Sequence, residues 1–568
     1  MHANFGADYS YGKQKTDITP YAQNTSWGYY GYEGWQEKHK YNLSFNAYAQ
    51  YYKDFTNARQ HFDIMAGYEW QHFYNDYHSE GGGFYPETNN LAELRGTRKD
   101  FTSYDSATES YLVSFFGRAN WIGWDQIMLT ATFRADGSSR FAPDVRWGYF
   151  PSVALGWKIK ESFFKDVNWL NDLKLRLGYG ITGQQNINQG DFPYLPIYVI
   201  NQSGAYSTVG ELLPPGGLTE EQIKAGLVDD GTYIYYPTKR PNEYNPKLTW
   251  EKTTTYNAGL DFSFLNNRIS GAIDYYYRLT DDLINYVDVP AGTNFKTRVI
   301  SNIGSLFNQG VEFSINAVAI DNKKLKWDLG FNATWNMNKI TRLTNSDDPN
   351  YFIDHGNIGN DQKVQAHAVG HPASSFYVYE TAYDETGHLT RVDLNGDGVI
   401  DASDKKFYHS PAPVVTMGLT SKWQFYNFDL GITFRANVGN YVYNSVLQDQ
   451  LQYVTTVYDA KFEGFHSVLK EAFDSYYYDG NNLRNQTDGV LTDYFVQNAS
   501  FLRCDNITLG YTWNKPNNVI GHARLYATVS NPFVITGYKG LDPEVSGGID
   551  GNMYPRSMTT LIGCNISF

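Results

Sequence analysis

Residues 125–159, DQIMLTATFRADGSSRFAPDVRWGYFPSVALGWKI, decide the fold class of this chain. In the first half of the stretch, apolar and polar side chains alternate. One face carries Ile127, Leu129, Ala131, Phe133 and Ala135, and the other carries Met128, Thr130, Thr132, Arg134 and Asp136. Because successive side chains of a strand point to opposite faces, this period of two predicts a β-strand. Gly, Ser, Asp and Pro between Asp136 and Pro143 predict a loop. The alternation then resumes through Trp157, so the stretch predicts a long antiparallel hairpin.

Similar alternating segments follow one another along the chain, and we count about sixteen of them. They lie near 3–11, 41–50, 62–71, 111–121, 127–136, 152–158, 173–182, 256–264, 269–277, 311–317, 327–335, 415–423, 428–436, 501–511, 525–529 and 562–568. One face of these strands is apolar and the other carries charges. An unpaired buried ion costs several kcal/mol, so the charged face is not expected in a dry core. We expect it to border a water-filled lumen while the apolar face contacts lipid. A soluble β-sandwich or β-helix is the alternative, but its inward face should be apolar.

The connections between these segments alternate in length. Short ones are predicted near 54–58, 122–125, 265–267, 320–324, 426–427 and 514–520, and long ones near 75–107, 185–247, 285–308, 342–412, 439–498 and 534–556. Outer-membrane barrels have short periplasmic turns and long external loops. The pattern therefore predicts an all-β, transmembrane antiparallel β-barrel.

Composition agrees with a membrane barrel. No run of eighteen apolar residues occurs in the 568 residues, which excludes a helical span. The mean hydropathy of -0.50 is compatible with barrel strands, in which apolar and polar positions average out. The 48 Tyr and 13 Trp suit the aromatic girdles at the two membrane interfaces.

Charge and motifs disfavour other classes of protein. A net charge of -14 argues against nucleic acid as a partner, since phosphate binding needs a basic surface. The sequence has no H-E-x-x-H motif of metalloproteases, no G-x-S-x-G motif of α/β-hydrolases and no G-x-x-x-x-G-K-(S/T) phosphate-binding loop, so we expect that the protein is not an enzyme. A barrel hydrolase with a site assembled from distant strands remains an alternative. Cys504 and Cys564 fall in strands that are not neighbours, and we expect two unpaired thiols on the membrane face.

Seven segments stand in order along the chain: RADGSSRFAPDVRWGYFPSVALGW, LKLRLGYGITGQQNI, NPKLTWEKTTTYNAGLDFSFLNNRISGAIDYYYRLTDDLI, NIGSLFNQGVEFSI, DLNGDGVIDASD, FLRCDNITLGYTW, and SNPFVITGYKGLDPE with YPRSMTTLIGCNISF. Together they resemble the SusC/RagA family of TonB-linked outer-membrane transporters of Bacteroidetes. The resemblance implies a barrel of 22 strands filled by an N-terminal plug, which imports oligosaccharides or peptides. It also implies a SusD-like surface lipoprotein as an external lid and TonB as the energy source from the periplasm.

The 568 residues match only part of that pattern. The plug, the TonB box, a signal peptide and roughly six first strands of the family have no counterpart, and Met1 is followed directly by barrel-like sequence. We therefore expect residues 1–568 to be the C-terminal barrel portion of a longer gene. Alternatively, another chain supplies the missing strands, or sixteen strands close on themselves with altered shear. In the last case the protein would be a self-contained passive porin.

Residues 393–404, DLNGDGVIDASD, match an EF-hand calcium loop. The expected Ca²⁺ ligands are Asp393, Asn395, Asp397, the Val399 carbonyl, Asp401 and Asp404, with Gly398 at the sharp turn. Asp404 stands where a Glu is usual, and its shorter side chain disfavours bidentate ligation. An Asp/Gly-rich turn that binds no metal is the alternative, because no paired helices flank the loop. In an external connection, such an ion would be structural.

Two further sets of residues are candidates for contact with a solute. Charged residues expected to line the lumen are Arg118, Arg134, Arg176, Asp261, Asp274, Arg278 and Arg435. Aromatic residues that could stack on sugar rings are Trp27, Tyr29, Tyr30, Trp35, Tyr235 and Tyr236, although packing within girdles and loops is the commoner use of such side chains.

Overall fold

In the computed structural model, the described residues are 1–24, 29–84, 102–185, 191–200, 206–207, 210–219, 222, 227–344, 351–359, 361–383, 385, 389–451, 490–514, 521–551 and 553–567. Within these residues, sixteen strands form one antiparallel sheet in which each strand pairs with the next one along the chain. They are β1 (His2–Asn24), β2 (Tyr29–Phe55), β3 (Gln60–Phe84), β4 (Thr102–Gly123), β5 (Ile127–Ser138), β6 (Trp147–Lys158), β7 (Leu170–Gln184), β8 (Glu251–Phe264), β9 (Ile269–Asp288), β10 (Arg298–Asp321), β11 (Leu325–Arg342), β12 (Val415–Phe425), β13 (Phe428–Val438), β14 (Phe501–Asn514), β15 (His522–Thr536) and β16 (Thr559–Ser567). Each predicted segment corresponds to one of these strands, so the predicted count and order are confirmed.

Several strands are longer than the alternation predicts. The connections expected at 75–107 and 285–308 are largely wrong, because β3 runs to Phe84, β4 starts at Thr102, β9 runs to Asp288 and β10 starts at Arg298. Outside the membrane both faces of a hairpin meet water, so backbone pairing continues where the apolar periodicity stops. At about 3.3 Å per residue, the 27 residues of β2 span roughly 90 Å, far more than the ~25 Å apolar band of a barrel.

The two ends of the sheet differ in their connections. At one end the strands are joined by 56–59, 124–126, 159–169, 265–268, 322–324, 426–427 and 515–521. At the other end 25–28, 139–146 and 289–297 are short, but three connections, 185–250, 343–414 and 439–500, exceed sixty residues. The asymmetry predicted from the sequence is therefore present. We call the first end periplasmic and the second external.

Large apolar side chains project outward from one face of the sheet. Phe5, Ile64, Phe115 and Ile562 are 70%, 53%, 52% and 75% exposed. Such a surface is unfavourable in water and favourable in lipid. None of the helices in the described ranges is long and apolar enough to cross a bilayer.

Three long connections fold together at the external end into a small domain, which we call the external cap. One sheet contains Phe352–Asn357, Lys363–Ala368, Ser375–Tyr379 and Lys405–Phe407, and a second contains Val496–Asn498, Tyr441–Asn444 and Ile549–Asp550. Val364, Phe376, Val378, Tyr443 and Phe495 are almost fully buried between them.

Smaller elements complete the external end. Short sheets pair Tyr198–Ile200 with Lys239–Pro241, Thr381–Tyr383 with Leu389–Arg391, and Tyr233–Tyr235 with Glu211–Leu212 and Val228–Asp229. Helix α1 (Ile159–Phe163) lies at the periplasmic end and α2 (Ser445–Leu451) in the cap region. Single 3-10 turns occupy Thr56–Ala58, Ala402–Asp404, Asp493–Phe495 and Ser546–Gly548.

Strands β1 and β16 are the edges of the sheet within the described residues. Among the described residues, β1 pairs with β2 and β16 with β15, and no ladder joins β1 to β16. Phe568, the end of the last predicted strand, lies outside the described residues. Both cysteines are free, as expected, and the strand register places Cys504 on the apolar face. Phe434 and Phe533 flank it in register, and it is fully buried.

Candidate functional site: the charged face of the sheet

The face opposite the apolar one carries arginines that reach across neighbouring strands. Arg134 on β5 donates from Nε to Asp136 Oδ1 at 2.7 Å. From Nη2 it donates to Ser114 Oγ on β4 and to Glu69 Oε2 on β3, both at 2.8 Å. One guanidinium therefore joins three strands, and the small Ser114 leaves room for it.

Arg176 makes the most complete of these contacts. From β7 its Nε donates to both oxygens of Asp261 on β8 at 3.0 and 2.9 Å. Its Nη1 and Nη2 donate to Asp274 on β9 at 2.8 and 2.9 Å. Gly259 lies between Arg176 and Asp274 in register. A Cβ at Gly259 would stand 2.2 Å from Asp274 Oδ1 and 2.8 Å from Arg176 Cζ, so only glycine fits without displacing the pair.

Arg524 repeats the arrangement near the periplasmic end. It reaches from β15 over Gly510 on β14 to Asp429 on β13, with Nε 3.0 Å from Oδ1. A Cβ at Gly510 would lie 2.5 Å from Asp429 Oδ1. We call these contacts of Arg134, Arg176 and Arg524 the arginine bridges. In each, the middle strand contributes glycine or serine at the crossing point.

The seven charged residues predicted from the sequence to line the lumen lie on this face, but only three of them belong to one shared contact. The structure brings Arg176, Asp261 and Asp274 together. Arg118 lies 3.4 Å from Asp63, and the Arg278 guanidinium lies 4.7 Å from the centre of the Tyr276 ring. The sequence did not identify Asp63, Glu69 and Asp136 as the acidic partners of Arg118 and Arg134. It also did not identify the pair of Asp429 and Arg524. An inward Gly or Ser on the middle strand was the available signal, but it becomes informative only with the strand register.

A larger cluster of charges lies where β13 and β14 reach the external end. Arg435 and Arg503 face each other in register, which by itself would be repulsive. Glu544 accepts hydrogen bonds from both Nη atoms of Arg435, and its Oε2 lies 3.0 Å from Arg503 Nε. Asp542 accepts from Arg503 at 2.6 Å and Asp505 accepts from Arg435 at 2.8 Å. With Arg556, 3.4 Å from both loop carboxylates, these residues form what we call the mouth cluster.

The mouth cluster fixes the 537–558 connection to the sheet. The side chains of Arg503 and Asp542 are 5% and 3% exposed, so each charge depends on its partner. The same connection also holds the external cap, since Ile549–Asp550 pairs with Tyr443–Asn444 and Gln365 Nε2 donates to the Gly547 carbonyl at 2.7 Å. Burial, helped by a hydrogen bond to Asp550, raises the pKa of Tyr538 well above its ordinary value. The connection therefore ties the cap to β13 and β14.

The loop at 393–404 adopts a compact turn stabilised by its own carboxylates. Asp393 accepts from the N–H groups of Gly396 and Gly398 at 2.7 and 2.8 Å. Asp404 is fully buried and accepts from the N–H groups of Leu394 and Asp401, both at 2.8 Å. These backbone hydrogen bonds, that of Asp401 foremost, lower the pKa of Asp404. Both glycines have positive φ, 74° and 84°.

The remaining expected calcium ligands also contact the loop itself. Asp397 Oδ1 accepts from the Val399 N–H and Asp401 Oδ1 from the Ser403 N–H, both at 2.8 Å, and Asn395 Nδ2 donates to Asp397 Oδ2 at 3.0 Å. In the described part of the chain, no three His, Cys, Asp or Glu side chains converge as a metal site. Carboxylate and amide oxygens are the donors that Ca²⁺ prefers, so the residue types fit the ion. Each carboxylate has about four lone-pair sites, so its hydrogen bonds to backbone N–H groups are compatible with ligation of the ion.

The aromatic candidates are spread over separate elements. Trp27 lies outside the described residues, as do the side chains of Tyr29 and Tyr30. Trp35 on β2 packs on His78, with ring centres 4.8 Å apart. Tyr235 and Tyr236 donate to Asp230 and Glu211 at 2.8 and 2.9 Å.

Comparison with known proteins agrees with this fold. The family model for the β-barrel of TonB dependent receptor-like proteins matches residues 2–531. The chain is 48% identical to the TonB-dependent receptor SusC of Bacteroides thetaiotaomicron, over 100% of this chain and 54% of that protein. It is 27% identical to the TonB-dependent receptor P3 of Formosa agariphila, over 92% of this chain and 52% of that protein.

A solved structure, that of the RagAB peptide transporter, superposes with a TM-score of 0.77 at 24% identity, covering 100% of this chain and 60% of the matched one. At that identity the likeness concerns the fold alone. The chain spans about half the length of the curated relatives it matches. Since the family match runs from the first strand of the sheet into the fifteenth, this chain belongs to the outer-membrane family of TonB-dependent receptor-like β-barrels.

Proposed function

We propose that the protein imports a polar nutrient across the outer membrane, with the charged face of the sheet lining its passage. The observation that carries the proposal is the 48% identity to the TonB-dependent receptor SusC along the whole of this chain. In the complete protein, uptake is energised by TonB through an N-terminal region, and a SusD-like surface lipoprotein covers the external end.

The charged face supports a polar solute. The arginine bridges hold their charges in pairs, so the lining offers hydrogen-bond donors and acceptors without a strong field of one sign. Oligosaccharides and peptides both suit such a surface. For peptides, one solved structure with this fold is that of a protein named a peptide transporter. For oligosaccharides, exposed aromatic side chains in the loops suit stacking on sugar rings. We keep both substrate classes.

Uptake measurements in the native host test this function. We expect deletion of the full-length gene to abolish uptake of labelled oligosaccharides or of labelled peptides, and a protonophore to have the same effect on the wild type. Uptake that persists with the protonophore would instead support a passive porin. Appearance of cleaved label in the medium, dependent on the gene, would support a barrel hydrolase.

We also propose that residues 393–404 bind Ca²⁺ as a structural ion. The ligands would be the side chains of Asp393, Asn395, Asp397, Asp401 and Asp404 with the Val399 carbonyl. The residue types, their spacing and the positive φ of Gly398 support this assignment. When bound, the ion would supply cross-links within the loop, and the residues themselves would fix the loop beside the external cap.

A further inference from the structure

A recess opens at the external end of β14 and β15, away from the arginine bridges and the mouth cluster. It has a volume of about 440 Å³ and is lined by Tyr494, Gln497, Asn498, Ser500, Gly537 and Lys539. Small-molecule sites in proteins have volumes of ~300–1,000 Å³, so the recess is large enough to hold a ligand. The sequence alone did not mark these residues, because they belong to two separate connections that only the fold brings together.

The recess lies on the outward side of the sheet. Leu502 on β14 and Ile535 on β15 pair in register on the apolar face, and they are 40% and 61% exposed. Ser500 precedes Leu502 by two residues. Gly537 follows Ile535 by two, so the alternation of a strand places both lining residues on the same side as the apolar pair. The recess therefore lies just beyond the surface that contacts lipid, and it is not part of the wall that lines the passage.

The polar side chains of the recess retain hydrogen-bond donors. The Lys539 N–H donates to Gln497 Oε1 at 3.3 Å, and the Ser500 N–H donates to Asn498 Oδ1 at 2.9 Å. These contacts use the amide oxygens only. Within the part of the chain that the structure describes, neither amide nitrogen has an acceptor and the Lys539 ammonium has no carboxylate partner. Since each amide nitrogen can donate twice, the recess suits a ligand rich in oxygen atoms.

An aromatic ring and an open glycine complete the recess. Tyr494 is 38% exposed, and its ring meets Phe495 edge to face with ring centres 5.3 Å apart. Apart from the neighbours of Gly537 in the chain, no heavy atom lies within 4 Å of where its Cβ would stand. An exposed aromatic ring beside amide donors suits a sugar, because the C–H face of a pyranose packs on the ring while its hydroxyl groups accept hydrogen bonds.

We propose that this recess binds a pyranose unit of a carbohydrate chain on the outer surface of the barrel. Tyr494 packs on the face of the sugar, and the amides of Gln497 and Asn498 donate to its hydroxyl groups. Lys539 binds an acidic substituent where the sugar carries one. Two sources supply such a unit at this position, namely a soluble oligosaccharide and the sugar head group of the glycolipids in the external leaflet. Because the recess is separate from the passage, the proposal does not depend on the proposed import function.

Hydrogen exchange of the full-length protein in detergent tests the site, because it reports where a sugar binds. One probe is a mixture of neutral hexose oligosaccharides, and the other is the deacylated core oligosaccharide of lipopolysaccharide. We expect at least one probe to slow exchange at residues 494–500 and 537–540 of the wild type. Exchange that neither probe slows in these segments would overturn the proposal.

Substitutions separate this recess from any other sugar site on the protein. Gly537→Leu fills the open space and should abolish the protection at residues 494–500. The matched control is Gly551→Leu, which should retain the protection, since an added Cβ there also has no heavy atom within 4 Å. Equal protection in the wild type and in Gly537→Leu would contradict the proposal.

Two further variants assign the roles of the side chains. Tyr494→Ala should weaken binding by roughly two- to tenfold, which is the contribution of one aromatic contact. Lys539→Met should weaken binding of the lipopolysaccharide core, which carries phosphate, and leave binding of the neutral oligosaccharides unchanged. The two sources of the sugar are thereby distinguished. An affinity that Tyr494→Ala leaves unchanged would exclude the stacking on which the proposal depends.

Discussion

The Arg176 bridge predicts an unusual response to the smallest possible substitution. Gly259→Ala adds one methyl group where the nearest atoms are Asp274 Oδ1 at 2.2 Å and Arg176 Cζ at 2.8 Å. The backbone itself is not obstructed, so the carboxylate and the guanidinium must separate. We expect the contact between β7 and β9 to be lost while Arg176 keeps Asp261.

The size of the effect follows from the two hydrogen bonds that Arg176 makes to Asp274. Charged hydrogen bonds contribute about 1.5–3 kcal/mol when sheltered, and exposed ion pairs about 0.2–1 kcal/mol. The Arg176 and Asp274 side chains are 31% and 17% exposed, an intermediate case. We therefore expect Gly259→Ala to destabilise the protein by roughly 1–2 kcal/mol.

Gly178→Ala is the matched control, because the nearest atom to its added Cβ would be Asn257 Cβ at 3.8 Å. Without a clash, alanine in a strand should stabilise by about 0.5 kcal/mol, since glycine loses more backbone freedom on folding. The assay is urea unfolding of the protein in liposomes, followed by tryptophan fluorescence. In an Asp274→Ala background, most of the cost of Gly259→Ala should disappear. Additive costs, or equal effects at the two glycines, would refute the bridge as the cause.

Three more predictions concern the external end. Glu544→Gln should speed hydrogen exchange at Ile549–Asp550, because Arg435 and Arg503 then face each other with one carboxylate fewer. The control Asp429→Asn, which alters an arginine bridge remote from the cap, should leave the exchange rate at Ile549–Asp550 unchanged. Equal effects of the two substitutions would show that the mouth cluster does not hold the cap. Burial, and to a lesser extent His367, lowers the pKa of His355 from 6.5 to about 4, so its contribution to cap stability is complete above pH 6.5 and declines as the pH falls toward 4. The rate of limited proteolysis of the cap should therefore rise as the pH falls from 6.5 toward 4, and His355→Gln should weaken this pH dependence. A pH profile of proteolysis that His355→Gln leaves unchanged would contradict the role of His355. Asp393→Ala and Asp397→Ala should abolish Ca²⁺ binding in calorimetry while the barrel still assembles, and unchanged affinity in both would remove the calcium assignment.

The strands could be predicted because their signal is local. In β5, five outward residues alternate with five inward ones, and each residue carries that information without reference to any other strand. The limits of the strands could not be predicted as well. The ends of β3 and β4 outside the membrane are stabilised by pairing with each other rather than by lipid, so their composition loses the alternation that marks a membrane strand.

The candidate site could be predicted only in outline. Arg134, Arg176 and Arg435 were identified from the sequence, but most of their acidic partners were not. Glu69, for example, is 65 residues from Arg134 and two strands away. The mouth cluster depends further on Glu544, which belongs to a connection whose path cannot be inferred from periodicity.

The sequence by itself determined the class of fold, the order of the strands, the end of the sheet that carries long connections, and which face of each strand is polar. These properties depend on periods of two residues and on turn chemistry, which operate between near neighbours. Only the tertiary structure decided which charges meet. Contacts such as that between Arg176 and Asp274, 98 residues apart, require the register of three strands. The external cap likewise requires three connections to meet in space, and packing over such separations is set by the whole sheet at once.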